Sequence, residues 1–413
     1  MSHVADSLWS PISGGITTPR GYKASGIAAG LKDSGKRDLA LLVAPKGAVC
    51  AGSFTQSITR AACIDLCRER LSRSKGRIRA VLINSGQANA CTGDRGSMDA
   101  LKASEAIASK LNFTPDEVLI SSTGVIGVPI PLEKLISSLD ELVHKLSFEG
   151  GDFAANAILT TDLVEKQIAY KAHFDGRTIL IGGMAKGSGM IHPNMATMLG
   201  YLTCDVAVPP LVWKKMIQNA VRSSFNSITV DGDTSTNDSF VAFASGEELP
   251  TKYFSYLEEG LKLTTQYLAK SIARDGEGAN CLIEVKVEGA NSDIDAHKLA
   301  KTICSSSLVK TAIHGKDPNW GRIIAAAGMA KVDFIPDDVG LWFGPYQIMD
   351  NGKPLLIDKK IFTDYIAERM NGEYMRNDSV VIRLSVGKGD GSATAWGCDL
   401  SDQYVRINSD YTT

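Results

Sequence analysis

Lys186-Gly-Ser-Gly-Met190-Ile-His-Pro-Asn-Met195-Ala196-Thr197-Met198-Leu199-Gly200 lies near the midpoint of the 413-residue chain. It packs Gly, Pro and Asn into a run that suits neither a helix nor a strand. The apolar run Thr178–Gly183 precedes it, and Met198–Leu202 follows. The stretch therefore reads as an irregular turn between two buried strands. A hydroxyl on such a turn, here that of Thr197, is where a nucleophile can be positioned. The residue before it, Ala196, is small, and the turn permits a bent backbone. Attack of the Thr197 hydroxyl on the Ala196 carbonyl, followed by ester hydrolysis, would leave Thr197 as a new N-terminus. Its own α-amine, with an unperturbed pKa of about 7.7–8.0, could then act as the base.

Strand and helix patterns alternate outward from this turn without a strict βαβ rhythm. Strands are expected at Asp38–Ala44, Ile78–Ile83, Leu119–Gly127 with a turn at Thr123-Gly124, Ser239–Ala244 and Cys281–Val287. Val164–Ala172 and Thr178–Gly182 form an expected hairpin around Asp175-Gly176. Val380–Val386 and Ala393–Leu400 read as a late strand pair. Helices are expected over 98–111, 131–146, 152–160, 210–224, 254–273 and 296–308. That over 131–146 has the clearest apolar periodicity, with Pro131 in its first turn. Asn84–Gly93 and Thr229–Asp238 read as polar loops, and Asn408–Thr413 as a terminal tail. The mixture implies an α+β fold of layered sheets flanked by helices, not a doubly wound parallel sheet.

The bulk properties narrow the function classes. Apolar residues make up 44%, charged residues 22%, and net charge is -2. Nothing here favours nucleic acid or an anionic membrane as a partner. No apolar run reaches the roughly 18 residues of a membrane span, and residues 1–10 lack the pattern of a signal peptide. A cytoplasmic location is the expectation. The eight cysteines, at 50, 63, 67, 91, 204, 281, 304 and 398, form no C-x-x-C pair. They read as buried free thiols, and no metal site is expected from the cysteines or the six histidines.

Two further features bear on chemistry. Thr123-Gly124, at the end of an apolar strand, could supply a hydroxyl and a close-approaching backbone N–H to a developing oxyanion. Lys186 could neutralise a carboxylate, but Gly187-Ser-Gly189 lacks both the third glycine of a dinucleotide fingerprint and the order of a P-loop.

Several stretches together resemble the ornithine acetyltransferase family, also called bifunctional arginine biosynthesis protein or glutamate N-acetyltransferase. They are Asn84–Gly93, Ser122–Gly127, Leu159–Asp162, Lys186–Leu199, Asp231–Asp238, Arg274–Gly278, His314–Arg322 and Asn408–Thr413. They keep the family's order over nearly the whole chain. Gln87 stands where the pattern has Asn, and Asn280-Cys281 where Thr-Lys is more usual.

The resemblance implies self-cleavage between Ala196 and Thr197, giving an α chain, 1–196, and a β chain, 197–413, in an intertwined α2β2 assembly. It implies that Thr197 takes an acetyl group from N-acetylornithine and passes it to glutamate. Thr123 and Gly124 would form the oxyanion hole. Thr160, Lys186, Thr197, Glu277, Asn408 and Thr413 would contact substrate. No cofactor is implied, and monofunctional and bifunctional members share these motifs, so acetyl-CoA as a co-substrate stays open. Two other readings compete: a related aminopeptidase or amidase with an N-terminal nucleophile, and an uncleaved binding protein in which Thr197 is only structural.

Overall fold

A computed structural model describes residues 8–192 and 198–410. Its strands, in chain order, are β1 Ser10–Ile12, β2 Lys23–Ile27, β3 Leu39–Val43, β4 Val49–Phe54, β5 Ala80–Gln87, β6 Val118–Val125, β7 Lys166–Phe174 and β8 Arg177–Lys186. There follow β9 Leu199–Ala207, β10 Ser239–Glu248, β11 Leu282–Ala290, β12 Gly340–Phe343, β13 Tyr346–Asp350, β14 Lys353–Pro354, β15 Ser379–Ser385 and β16 Gly391–Cys398. They form three sheets, ordered β1-β7-β8-β9-β10-β4, β2-β3-β5-β6 and β14-β13-β12-β15-β11-β16. Pairing is mostly antiparallel; β9/β10, β5/β6 and β11/β15 are parallel.

The first sheet is buried on both faces, as strand alternation predicts for a central layer. One face, with Met184, Leu199, Tyr201, Val241 and Phe243, packs into a core shared with the four-stranded sheet. The alternate residues Ala185, Leu202, Cys204, Ala242 and Ala244 share a second core with the helices Pro210–Arg222 and Phe254–Arg274. The third sheet has its own core under the helices Asp293–Ser305, Trp320–Gly328 and Lys359–Met370. This is the layered α+β arrangement expected from sequence.

The hairpin at Asp175-Gly176 is present, with both turn residues at positive φ (47° and 77°), as a tight two-residue turn between twisted strands requires. Trp213, on the helix Pro210–Arg222, is fully buried and donates Nε1–H to the Ala242 carbonyl at 3.1 Å.

Five local expectations are corrected. The helix over 131–146 is two short helices, Leu132–Ser137 and Leu139–His144. The Ser137 and Ser138 hydroxyls both donate to the Lys134 carbonyl, competing with the helical ladder, and Pro131 stands before the first turn. The helix over 296–308 starts earlier and breaks at Ser306, whose hydroxyl caps a second helix, Ser307–His314. Residues 380–386 and 393–400 are strands but not partners. They flank β11, one parallel and one antiparallel. The loop between them crosses the end of β11, where a Cβ on Gly289 would collide with the Gly387 backbone. The polar run from Asn84 opens as strand, because β5 continues to Gln87. Thr123-Gly124 likewise lies inside β6 and not at a turn, because the parallel ladder runs on through Ser85↔Thr123 and Gly86↔Gly124. Residues 331–379, left unassigned from sequence, supply β12–β14 and the helix 359–370. Of the cysteines, Cys91 is exposed and the other seven are buried free thiols.

Candidate active site

Strands β8 and β9 are antiparallel neighbours, and their ends pair at Lys186↔Leu199. The central stretch thus joins these two strands at one end of the main sheet. Its described part is pinned from outside. The Asp231 carboxylate accepts N–H groups from Met190 (2.6 Å) and Ile191 (2.9 Å), and holds Met190 in the left-handed region at φ 55°. Burial pushes the Asp231 carboxyl up, against the backbone N–H groups that favour its ionised form.

A cavity of about 260 Å³ opens beside this connection. Thr123, Gly124, Thr160, Lys186, Glu277 and Asn408 all line it, brought together from across the chain. Met198 and Leu199 line it too. Thr197, Ala196 and Thr413, also named from sequence, lie outside the described residues.

Each element delivers its residue for a reason. Gly124 sits where the β6 backbone passes so close to β5 that a Cβ would meet the Gly86 carbonyl at 2.4 Å, with φ at 127°. Only glycine fits there. Thr123, one residue earlier, has its hydroxyl 3.4 Å from Lys186 Nζ. A hydroxyl that accepts from an ammonium keeps its own proton free to donate into the cavity. Asn237 closes one wall, donating Nδ2–H to the Ser122 carbonyl at 2.8 Å and to the Ala88 carbonyl. Asn408, on the terminal helix Asp402–Asp410, donates to Glu277 Oε2 at 2.8 Å. The tail up to residue 410 is therefore helical and tied to the cavity through Asn408, which the family resemblance, and not the local sequence, placed near substrate.

Lys186 is 8% exposed and Glu277 7% exposed. Among the described residues neither has an oppositely charged side chain within ion-pair distance. Burial pulls the Lys186 ammonium below the ordinary lysine range; Asp162 opposes that pull and Lys166 adds to it.

Sequence reasoning did not assign roles to the charged cluster behind the cavity. Lys166 Nζ lies 2.6 Å from both Asp162 and Asp275, with all three side chains at most 3% exposed. Asp162 also accepts the N–H groups of Gly187 (2.7 Å) and Thr160 (3.0 Å), so it fixes the start of the central connection and one cavity residue together. Asp275 accepts the Leu163 N–H, and its carbonyl accepts the Ser188 hydroxyl. Burial acts to raise the Asp162 carboxyl, but Lys166 and then Lys186 outweigh it and hold it well below the usual range. Asp275 goes the other way, raised by burial more than Lys166 lowers it. The signal available in sequence was the Asp162/Lys166 pair at the mouth of an apolar strand.

The two departures from the family pattern have structural work. Gln87 donates Nε2–H to the Leu31 carbonyl at 2.8 Å. Asn280 is clamped on Asp399 through its N–H (2.7 Å) and Nδ2 (2.8 Å).

The model of the ArgJ family matches residues 23–413. The chain belongs to the ArgJ family. It is an acetyltransferase of arginine biosynthesis, the enzyme class that the sequence resemblance implied. The arginine biosynthesis bifunctional protein ArgJ of Prochlorococcus marinus strain NATL2A is 64% identical over 100% of this chain and 98% of its own length. That of strain MIT 9313 is 61% identical over 100% and 97%. A solved structure of arginine biosynthesis bifunctional protein ArgJ from Bacillus halodurans is 37% identical, covers 51% of this chain and 97% of its own, and has a TM-score of 0.46. Among the described residues no group of three or more His, Cys, Asp or Glu side chains could hold a metal ion. None of their helices is long and apolar enough to cross a membrane.

Proposed function

We propose that this ArgJ-family chain transfers an acetyl group from N-acetylornithine to glutamate through an ester on Thr197, giving ornithine and N-acetylglutamate. One observation carries the reading: a buried cation, Lys186, and a buried anion, Glu277, line the same small cavity with no ion-pair partner among the described residues. Buried charges are costly unless matched. An amino acid with a carboxylate and an ammonium group supplies both matches. Met198, the covalent neighbour of Thr197, lines the same cavity.

The proposed chemistry has two stages. In the first, the Thr197 hydroxyl attacks the Ala196 carbonyl and the peptide C–N bond breaks. Water then cleaves the ester, leaving a carboxylate on Ala196 and a free amine on Thr197. This separates 1–196 from 197–413, which stay associated, with α2β2 as the proposed assembly and the cytoplasm as its location. In the second stage, the Thr197 amine takes the hydroxyl proton as oxygen attacks the acetyl carbonyl of N-acetylornithine. Thr123 and Gly124 donate to the oxyanion. The amide C–N bond breaks, and ornithine leaves with that proton on its α-nitrogen. The glutamate α-amine attacks the acetyl ester, gives up one proton, and the hydroxyl is restored. Thr160, Lys186, Glu277, Asn408 and Thr413 hold the substrates. Acetyl-CoA is a second donor in this scheme.

The test is ornithine release from N-acetylornithine with and without glutamate. Release that depends on glutamate supports transfer; equal release without it makes the protein an amidase. Thr197→Ala should abolish both activity and the appearance of two fragments on a denaturing gel. A single intact band from active protein would end the self-cleavage reading.

A further inference from the structure

Strand β6 is the last strand of the four-stranded sheet, and its outward carbonyls are taken by side chains from outside the sheet. Arg70 donates Nη1–H to the Val118 carbonyl at 2.8 Å, and Cys67 donates Sγ–H to the Ile120 carbonyl at 3.1 Å, both from the helix Ala62–Arg73. Asn237 donates Nδ2–H to the Ser122 carbonyl at 2.8 Å. Val118, Ile120 and Ser122 stand two residues apart, so they face the same side of the strand, and Gly124 is next in that series. Gly124 is also where this edge reaches the cavity.

The first two bonds come from a helix laid over the edge, a common way to protect one. The third comes from a loop, and it is doubled. The other Nδ2–H of Asn237 donates to the Ala88 carbonyl, and the Ala88 N–H donates to the Val125 carbonyl at 2.9 Å. Ser122 and Val125 flank the Thr123-Gly124 pair. One carboxamide therefore holds that pair from both ends, directly at Ser122 and through Ala88 at Val125. Two carbonyl acceptors also settle which end of the amide faces them, since only its nitrogen can donate.

The same residue is tied to the other half of the site. Ser239, two residues on, donates its N–H to the Met198 carbonyl at 2.8 Å and its hydroxyl to the Asn237 carbonyl at 3.0 Å. The segment around Asn237 is clamped from outside. The Ser235 carbonyl accepts the Thr55 hydroxyl (2.9 Å), the Thr236 carbonyl the Ala61 N–H (2.9 Å) and the Asp238 carbonyl the Thr55 N–H (3.0 Å). Asn237 is buried, and its Oδ1 accepts the Thr236 hydroxyl at 2.6 Å. It lines the cavity with both N–H donors already used within the protein.

We propose that Asn237 is a positioning residue for the oxyanion donors: it sets the Thr123-Gly124 backbone against Met198, and so against the hydroxyl of its covalent neighbour Thr197. An oxyanion hole works only when its donors stand at hydrogen-bond distance from the oxygen that becomes charged, and a misplacement of about 1 Å is costly. A fully satisfied buried carboxamide is a stiff spacer for that purpose, because breaking either bond leaves a buried carbonyl without its partner. In this role Asn237 gives no hydrogen bond to substrate; its effect passes through Ser122 and Ala88. The inference rests on the acyl transfer proposed above, with Thr123 and Gly124 as the oxyanion donors, and holds whether glutamate or water takes the acyl group.

Asn237→Asp keeps the size of the side chain and the acceptor for Thr236 but removes both N–H donors. Asn237→Ala removes the carboxamide altogether. Each variant is read first on a denaturing gel and by thermal melting. Ornithine release from N-acetylornithine at saturating glutamate then gives kcat and KM, and calorimetry measures the binding of ornithine itself. The expected result is two fragments, a kcat about 100-fold below the parent in both variants, and KM and ornithine affinity within about threefold. That split belongs to a residue felt in the transition state and not in ground-state binding. A kcat within about threefold of the parent in Asn237→Asp would overturn the proposal and leave the side chain a filler of space. KM and ornithine affinity lost in step with kcat would overturn it by making Asn237 a support of the whole cavity, and so would loss of the folded state in both variants. Folded variants that stay uncleaved would overturn it by moving the residue's work to maturation. Ornithine release from the parent that does not depend on glutamate would overturn the transferase reading alone, because the comparison of variants is unchanged.

Discussion

Lys166 and Lys186 are near neighbours with opposite circumstances. Lys166 opens β7 and pairs in register with Ala185, the residue before Lys186 at the end of β8. Both side chains are buried. Lys166 has two carboxylates at 2.6 Å. Among the described residues Lys186 has no carboxylate at ion-pair distance, and its ammonium meets the Thr123 hydroxyl at 3.4 Å. The difference separates a lysine paired within the fold from one that the proposed function assigns to substrate. A buried ion with its counter-ions is part of the architecture; a buried ion without one raises the affinity of whatever brings the missing charge.

This comparison can be broken directly. Lys166→Met leaves Asp162 and Asp275 facing each other without a cation. Unfolding in urea should show a loss of about 3–5 kcal/mol, with part recovered on adding Asp275→Asn. Lys186→Met should cost little stability but lower kcat/KM for N-acetylornithine about 100-fold, equivalent to about 2.7 kcal/mol. Thermal melting read beside steady-state kinetics checks it. If both variants lose stability to the same degree, the two lysines do not differ as described.

A smaller effect sharpens the anionic side of the cavity. A Cβ on Gly189 would lie 2.6 Å from the Glu277 carboxylate. Gly189→Ala should displace that carboxylate and raise KM about tenfold, since misplacement of a positioning group is felt strongly, while the melting temperature moves little. An unchanged KM would remove Glu277 from substrate binding.

The smallest effect is in acid. Asp162 is held below its ordinary value, so folding favours its ionised form. That stabilisation is complete above the unfolded value, near 4, and is lost as pH falls toward the lower folded value. Asp275, raised by burial, contributes in the opposite direction. Asp162→Asn should therefore flatten the acid limb of a stability-against-pH curve. A limb as steep as the parent's would assign acid sensitivity to other carboxylates.

Much of this was readable without coordinates. Asp175-Gly176 forms its hairpin because local φ preferences and strand twist agree. The apolar runs at 39–43, 80–83 and 282–287 are strands because nothing in them opposes the extended state. The short-range rules failed where a hydroxyl offered the backbone another partner, as at Ser138 and Ser306, and where long-range pairing decided. Two strands separated by a glycine-rich loop look like a hairpin, yet β15 and β16 are parted by β11.

The sequence by itself determined the chemical inventory: a Thr in a stretch rich in Gly, Pro and Asn, a lysine before it, a Thr-Gly pair, and motifs that placed the chain in its family. Those are properties of residue type and order. Only the tertiary structure decided that Thr123, Gly124, Thr160, Lys186, Glu277 and Asn408 share one cavity, and that Lys166 is ion-paired while Lys186 has no ion-pair partner among the described residues. Burial and ion pairing arise between segments up to hundreds of residues apart, so no local pattern carries them.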